Sequence, residues 1–201
     1  MRPIKTCISK AETIVLQKYL DKALPLEGDI AECGVCWGGT SRRLALWAPA
    51  KTIYMFDIFD KLPNLSTPEE KKLQKDWIRG NPYRESKLEM TGKPDFLDAV
   101  ISAFEVHNIT NYKIIKGMVG DTLPKFDKPL CFIHADLDLY SPMVEAGKFA
   151  TRLLAKGGYY IAHDYKYPMW IGVERSVKEL VAEGNFKIIE EVNTQCVLQK
   201  L

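Results

Sequence analysis

Apolar positions along the chain fall into two rhythms. Ile14, Leu16, Tyr19, Leu20 and Leu24 recur at helical spacing, and Ser9 with Glu12 three residues later forms a capping box, so a helix is expected from there to about Ala23. Short apolar runs at Asp29–Val35, Thr52–Asp57, Tyr112–Lys116, Leu130–Ala135 and Tyr159–Ala162 have the length and composition of strands. Helical stretches alternate with them. One covers Ser41–Trp47; another, Asp95–Val106, carries an apolar face of Phe96, Leu97, Val100, Ile101 and Phe104. Ser141 followed by Pro142 reads as an N-cap and first helical position, with the helix ending before Gly157 and Gly158. A last helix, built on Val173, Val177, Leu180 and Val181, ends at Gly184. Strands alternating with helices predict a Rossmann-like α/β fold, a doubly wound and mostly parallel sheet covered on both faces.

The C-terminus breaks that pattern. Phe186–Val192 and Cys196–Leu201 are separated by only Asn193, Thr194 and Gln195, too few residues for a parallel crossover, so the last strand is expected to run antiparallel. A doubly wound sheet closed by a hairpin resembles the class I S-adenosylmethionine (SAM) methyltransferases. A second irregularity lies between the second and third strands, where about fifty residues stand in for one crossover helix. Thr67, Pro68 and Glu70 suggest a further capped helix there, and Gly80–Lys93 a mobile segment. The eight basic and six acidic residues from Lys61 to Asp95 suit a solvated lid better than a nucleic-acid groove. The reading is thus one domain over residues 1–201 with a lid-like insertion at 61–95.

Charge and cysteine content narrow the class. Lys plus Arg (28) against Asp plus Glu (26) leaves a net charge of +2, which points to neither a nucleic acid nor a membrane surface as partner. No apolar run reaches the roughly 20 residues of a membrane span, and the first residues lack the apolar core of a signal peptide, so a cytoplasmic location is expected. Five cysteines, an odd number, argue for reduced thiols, and the lone pair Cys33 and Cys36 has no second pair to complete a zinc site.

The candidate chemistry gathers at strand ends. Glu32, Gly34, Gly38, Gly39, Thr40 and Ser41 form a glycine-rich turn from strand to helix that lets a ligand approach the backbone. It lacks the Lys of a phosphate-binding loop, and Cys36 stands where a dinucleotide loop needs its second Gly. Asp57, about twenty residues on, either accepts the hydroxyls of an adenosine ribose or caps the following turn. Gly117–Thr122, with Asp121, ends the third strand and either lies along an adenine or is an ordinary turn. Asp136 and Asp138 after the fourth strand, and His163 and Asp164 after the fifth, belong to the same rim. Carboxylates that close imply either a metal or a tuned acid–base site, unless each merely caps a helix. His107 and His134 read as structural; Tyr165, Tyr167 and Trp170 either wall an acceptor pocket or pack the last helix.

Taken together, these motifs resemble the macrocin O-methyltransferase (TylF-like) family, SAM-dependent enzymes that methylate sugar hydroxyls of natural products with a divalent metal. The resembling stretches are collinear: Gly28–Ser41, Phe56–Pro63, Lys116–Pro124, Asp136–Tyr140 and Gly157–Tyr165. With SAM as the cofactor that the resemblance implies, the strand-end candidates for binding it are Glu32, Gly34, Gly38, Thr40, Ser41, Asp57 and Asp121. The resemblance implies Asp136 and Asp164 as ligands of a divalent ion, magnesium in the family, and Asp138 as the base; His163 is the third candidate ligand here, and manganese the alternative ion. His163 stands where the family has the first Asp of its pair, a change from oxygen to imidazole that magnesium tolerates poorly. The implied acceptor is a small, glycosylated molecule, with neither nucleic acid nor membrane as partner; a homo-oligomer is left open. Two other readings stand beside it: a metal-independent methyltransferase using His163 or Asp138 as base, and a non-catalytic nucleotide- or SAM-binding module. A nicotinamide oxidoreductase is disfavoured by the missing dinucleotide loop and the terminal hairpin.

Overall fold

In a computed structural model of the chain, the described residues are 6–60 and 96–201. The insertion at 61–95, where a lid with a capped helix and a mobile segment is expected, lies outside them. Helix α1 (Lys10–Ala23) opens on the expected capping box: Ser9 Oγ accepts from the Glu12 amide, and the Glu12 carboxylate accepts from the Ser9 amide at 2.7 Å. Strand β1 (Asp29–Cys33), helix α2 (Gly39–Trp47), strand β2 (Ile53–Asp57), helix α3 (Phe96–Glu105) and strand β3 (Tyr112–Lys116) follow. Next come the one-turn helix α4 (Val119–Thr122), strand β4 (Leu130–Ala135), helix α5 (Tyr140–Leu153), strand β5 (Leu154–Ala162) and helix α6 (Ile171–Ala182). Strands β6 (Phe186–Val192) and β7 (Gln195–Lys200) close the chain.

The seven strands form one sheet in the order β3-β2-β1-β4-β5-β7-β6, parallel except that β7 pairs antiparallel with both β5 and β6. Chain direction across the sheet reverses between β1 and β4, the switch point where open α/β sheets form a crevice. Alternation within the central strands feeds two cores. Ala31, Cys33, Ile133 and Ala135 face a cluster with Phe149 and Val177 of α5 and α6. Ile30, Phe132 and Ile161 face a cluster with Leu16, Leu44 and Phe104 of α1, α2 and α3. Every residue of β4 is buried, as a strand covered on both faces must be.

Two boundaries differ from expectation. Helix α5 begins at Tyr140 after an extended Leu139 that makes no side-chain cap, so Ser141 is not the N-cap and Pro142 lies in the first turn. Proline is tolerated there because a first-turn N–H has no intrahelical acceptor to lose. Strand β5 starts at Leu154, five residues before Tyr159, because the chain resumes pairing with β4 at Leu130 and passes through an irregularity before Phe132. Tyr165 and Trp170 are core residues with Tyr167 packed against their cluster, together with Val173 and Val177 of the last helix.

Candidate active site

Backbone hydrogen bonds carry the sheet one residue past its strand ends. Gly34 donates to Phe56 O at 2.9 Å, Asp136 to Cys33 O at 2.8 Å and His163 to Ala135 O at 2.8 Å, which fixes the β1, β4 and β5 loops at one level. Gly34 has φ +85, and a Cβ on it would collide with the Asp136 carbonyl. Only glycine lets the β1 and β4 loops meet this closely. Gly38 (φ +69) caps α2, and a Cβ on it would press on Phe104 at 2.9 Å.

A cavity of about 290 Å³ opens at this switch point. Glu32, Gly34, Thr40 and Asp136 line it together with Thr6, Cys7, Val35, Cys36, Trp37, Gly39 and Arg42. Glu32 forms its floor. It is 1% exposed, Ser41 Oγ donates a short hydrogen bond to its Oε2, and His134 Nδ1 lies 3.0 Å from its Oε1. Burial pushes the Glu32 carboxyl up, while the contacts with His134 and Ser41 pull it down. Ser41 therefore holds Glu32, and His134 is the buried structural histidine expected from its place inside β4. Thr40 is tied to the N-terminal segment through Thr6, their hydroxyl oxygens 2.8 Å apart.

The remaining candidates divide. Asp57 ends β2 with Oδ2 accepting from the amides of Val35 (2.7 Å) and Cys36 (3.0 Å) and Oδ1 from that of Phe59 (2.8 Å). Of about four lone-pair sites on a carboxylate, three are thus spent on shaping the loop that frames the cavity. Asp121 lies exposed on α4 and is not among the cavity's lining residues.

Asp136, His163 and Asp164 are brought together, each offering a ligand atom within 4.8 Å of the others. His163 Nδ1 is 3.2 Å from Asp136 Oδ1 and 3.4 Å from Asp164 Oδ1. An ion with ligands about 2.1 Å away at right angles sets neighbouring donors about 3 Å apart, so the cluster fits a divalent cation. A donor set of two carboxylates and an imidazole suits manganese, iron or zinc better than magnesium. Burial works against a charge on His163, but Asp136 and Asp164 outweigh it and lift the imidazole to about 11. A proton on Nδ1 and an ion there exclude each other. Asp138 and Asp164 both sit in the left-handed region at φ +61, backbone strain of the kind that gathers at functional sites. Asp138, two residues beyond Asp136 in the turn before α5, is not one of the three clustered groups.

Sequence comparison decides the family. A model of the macrocin O-methyltransferase (TylF) family matches residues 7–200. The chain belongs to that family. It is a SAM-dependent O-methyltransferase, as the resemblance implied. Among solved structures the chain is similar to the O-methyltransferase NovP (20% identity, TM-score 0.77, 97% of this chain and 81% of that one). It is similar too to CalS11, a calicheamicin methyltransferase (16%, TM-score 0.71, 94% and 78%), described in its apo structure as a TDP-rhamnose 3′-O-methyltransferase. The O-methyltransferase from Bacillus cereus in complex with SAH shares 14% identity at TM-score 0.65, over 96% of this chain and 82% of that one. These likenesses bear out the class I methyltransferase fold. Comparison with curated proteins finds no match. Among the described residues no helix is long and apolar enough to cross a membrane.

Sequence reasoning missed two things. The cavity wall takes Thr6, Cys7, Trp37 and Arg42, whose types carry no signal of their own. Glu12, read from sequence only as a helix cap, lies with Oε1 3.8 Å from His163 Nε2.

Proposed function

We propose that this O-methyltransferase acts on a hydroxyl of a sugar or similar polyol-bearing small molecule, with a divalent ion held by Asp136, His163 and Asp164. The observation that carries the reading is the clustering of those three residues on the same rim as the glycine-rich cavity. The sugar acceptor is supported by likeness to CalS11, which acts on TDP-rhamnose.

In this reading the backbone of Gly34 to Thr40 and the floor at Glu32 receive SAM, with Ser41 keeping Glu32 in place. Asp57 shapes the loop and offers its remaining lone pair on Oδ1 to a ribose hydroxyl, while Asp121 borders the adenine end. A divalent ion bound at the cluster supplies Lewis acidity that lowers the pKa of the acceptor hydroxyl. Asp138 accepts the proton as the acceptor oxygen takes the methyl from the sulfonium sulfur and the S–CH3 bond breaks. Asp138 and Asp164, both in left-handed turns at φ +61, follow neighbouring strands on the rim where acceptor and donor would have to meet in line.

The test is transfer of labelled methyl from SAM to a panel of deoxysugar nucleotides and glycosides, with and without chelator. Transfer that stops in chelator and resumes with manganese is expected. Full transfer in excess chelator would remove the ion from the mechanism and leave Asp138 or His163 as a simple base.

A further inference from the structure

Helix α1 lies far in sequence from the rim, yet its capping residue Glu12 faces His163 there. Glu12 is 4% exposed and has two separate engagements. Oε2 accepts from the Ser9 amide at 2.7 Å. Oε1 accepts from the amide (3.1 Å) and hydroxyl (2.8 Å) of Thr194 in the β6–β7 turn, and faces His163 Nε2 at 3.8 Å. The other ring nitrogen, Nδ1, is the one that faces Asp136 and Asp164. Glu12 and the two rim carboxylates therefore grip opposite edges of a single imidazole that is 11% exposed.

From this geometry we infer that Glu12 is a positioning residue for the metal site: its negative charge, facing the Nε2 edge of His163, favours the tautomer that keeps the hydrogen on Nε2 and presents the Nδ1 lone pair to the ion. The inference rests on the metal reading above. An imidazole binds a cation through one nitrogen only when the proton is kept on the other, and a carboxylate is the strongest common partner for that proton. The 3.8 Å separation is an ion-pair distance, and contacts of this kind tighten when the site is filled. Thr194 and Ser9 hold Glu12 from two elements, so it cannot swing away from the ring. The imidazole that replaces a family carboxylate at position 163 thus has its own second carboxylate behind it, contributed by helix α1.

The experiment is calorimetric titration of the whole chain with Mn²⁺, without SAM, in four proteins: wild type, Glu12→Gln, His163→Asp, and the double variant. Ser9→Ala serves as control, because it breaks the cap hydroxyl yet leaves every bond to the Glu12 oxygens in place. Glu12→Gln is expected to weaken Mn²⁺ binding about 10- to 100-fold, and Ser9→Ala to leave it within twofold. In the His163→Asp background, where no Nε2 hydrogen exists, Glu12→Gln should cost no affinity. Unchanged Mn²⁺ affinity in a folded Glu12→Gln, or an equal loss in both backgrounds, overturns the positioning role alone. A wild-type chain that takes up no Mn²⁺ overturns the metal reading, and this inference with it.

Discussion

Gly34 and the rim acids set what single residues can be asked to do. At φ +85, with the Asp136 carbonyl where its Cβ would be, Gly34 has no tolerable replacement. Gly34→Ala is expected to cost at least about 2 kcal/mol in unfolding free energy and to abolish calorimetric SAM binding, since the β1 and β4 loops must part. Asp136 and Asp138 should separate by phenotype. Asp136→Asn is expected to lose Mn²⁺ affinity, whereas Asp138→Asn keeps both Mn²⁺ and SAM but loses about 10²- to 10⁴-fold in kcat, the worth of a positioned base. The gathering of Asp136, His163 and Asp164 was legible because strand-end residues of neighbouring parallel strands must share a rim. The engagement of Asp57 with three loop amides was not legible, because sequence spacing says that an acid ends β2 and nothing about which donors fold over it.

Element boundaries were readable wherever the signal was chemical and local. The Ser9–Glu12 pair announced α1, and the short spacing from Val192 to Gln195 announced the hairpin that turns β7 antiparallel. The start of α5 was misplaced by two residues because Pro142 is compatible with any first-turn position. The N-terminal half of β5 was missed because its pairing with β4 is set by the neighbouring strand and not by its own Lys156, Gly157 and Gly158. At this scale Glu12 links α1 to the β6–β7 turn, and its protonation should be visible in stability. Burial pushes its carboxyl up, but the bonds from Ser9 and Thr194 prevail and hold it below the ordinary 4.5. A carboxyl depressed in the folded state stabilises above the unfolded value and loses that contribution as pH falls through the folded one. Glu12→Gln should therefore be less stable than wild type by about 1–2 kcal/mol at pH 7. In urea unfolding measured from pH 7 to 3, the gap should narrow as pH falls below the ordinary 4.5 and through the lower folded-state value; a gap constant across that range would mean that the charge on Glu12 does not contribute.

For the molecule as a whole, the rim joins parts that the chain keeps apart. Asp136 follows β4, His163 and Asp164 follow β5, and Glu12 sits on α1 beneath the terminal hairpin. An unfolded chain holds these groups at random separations, so an ion bound by them binds the folded state alone and must raise its stability by mass action. At about 100 times its dissociation constant the gain is about 2.7 kcal/mol, and for a domain of this size each kcal/mol moves the melting temperature by about 2–4 °C. Mn²⁺ is accordingly expected to raise the wild-type Tm by about 5–10 °C and chelator to return it, with Mg²⁺ weaker because one of the three donors is an imidazole nitrogen. Asp136→Asn should melt at the same temperature with and without Mn²⁺. His163→Asp should narrow the difference between the two ions, since an all-oxygen shell removes the reason for it. If Mn²⁺ raised the Tm of Asp136→Asn as much as that of wild type, the stabilising site would lie elsewhere on the protein and the rim would be left as an acid–base cluster.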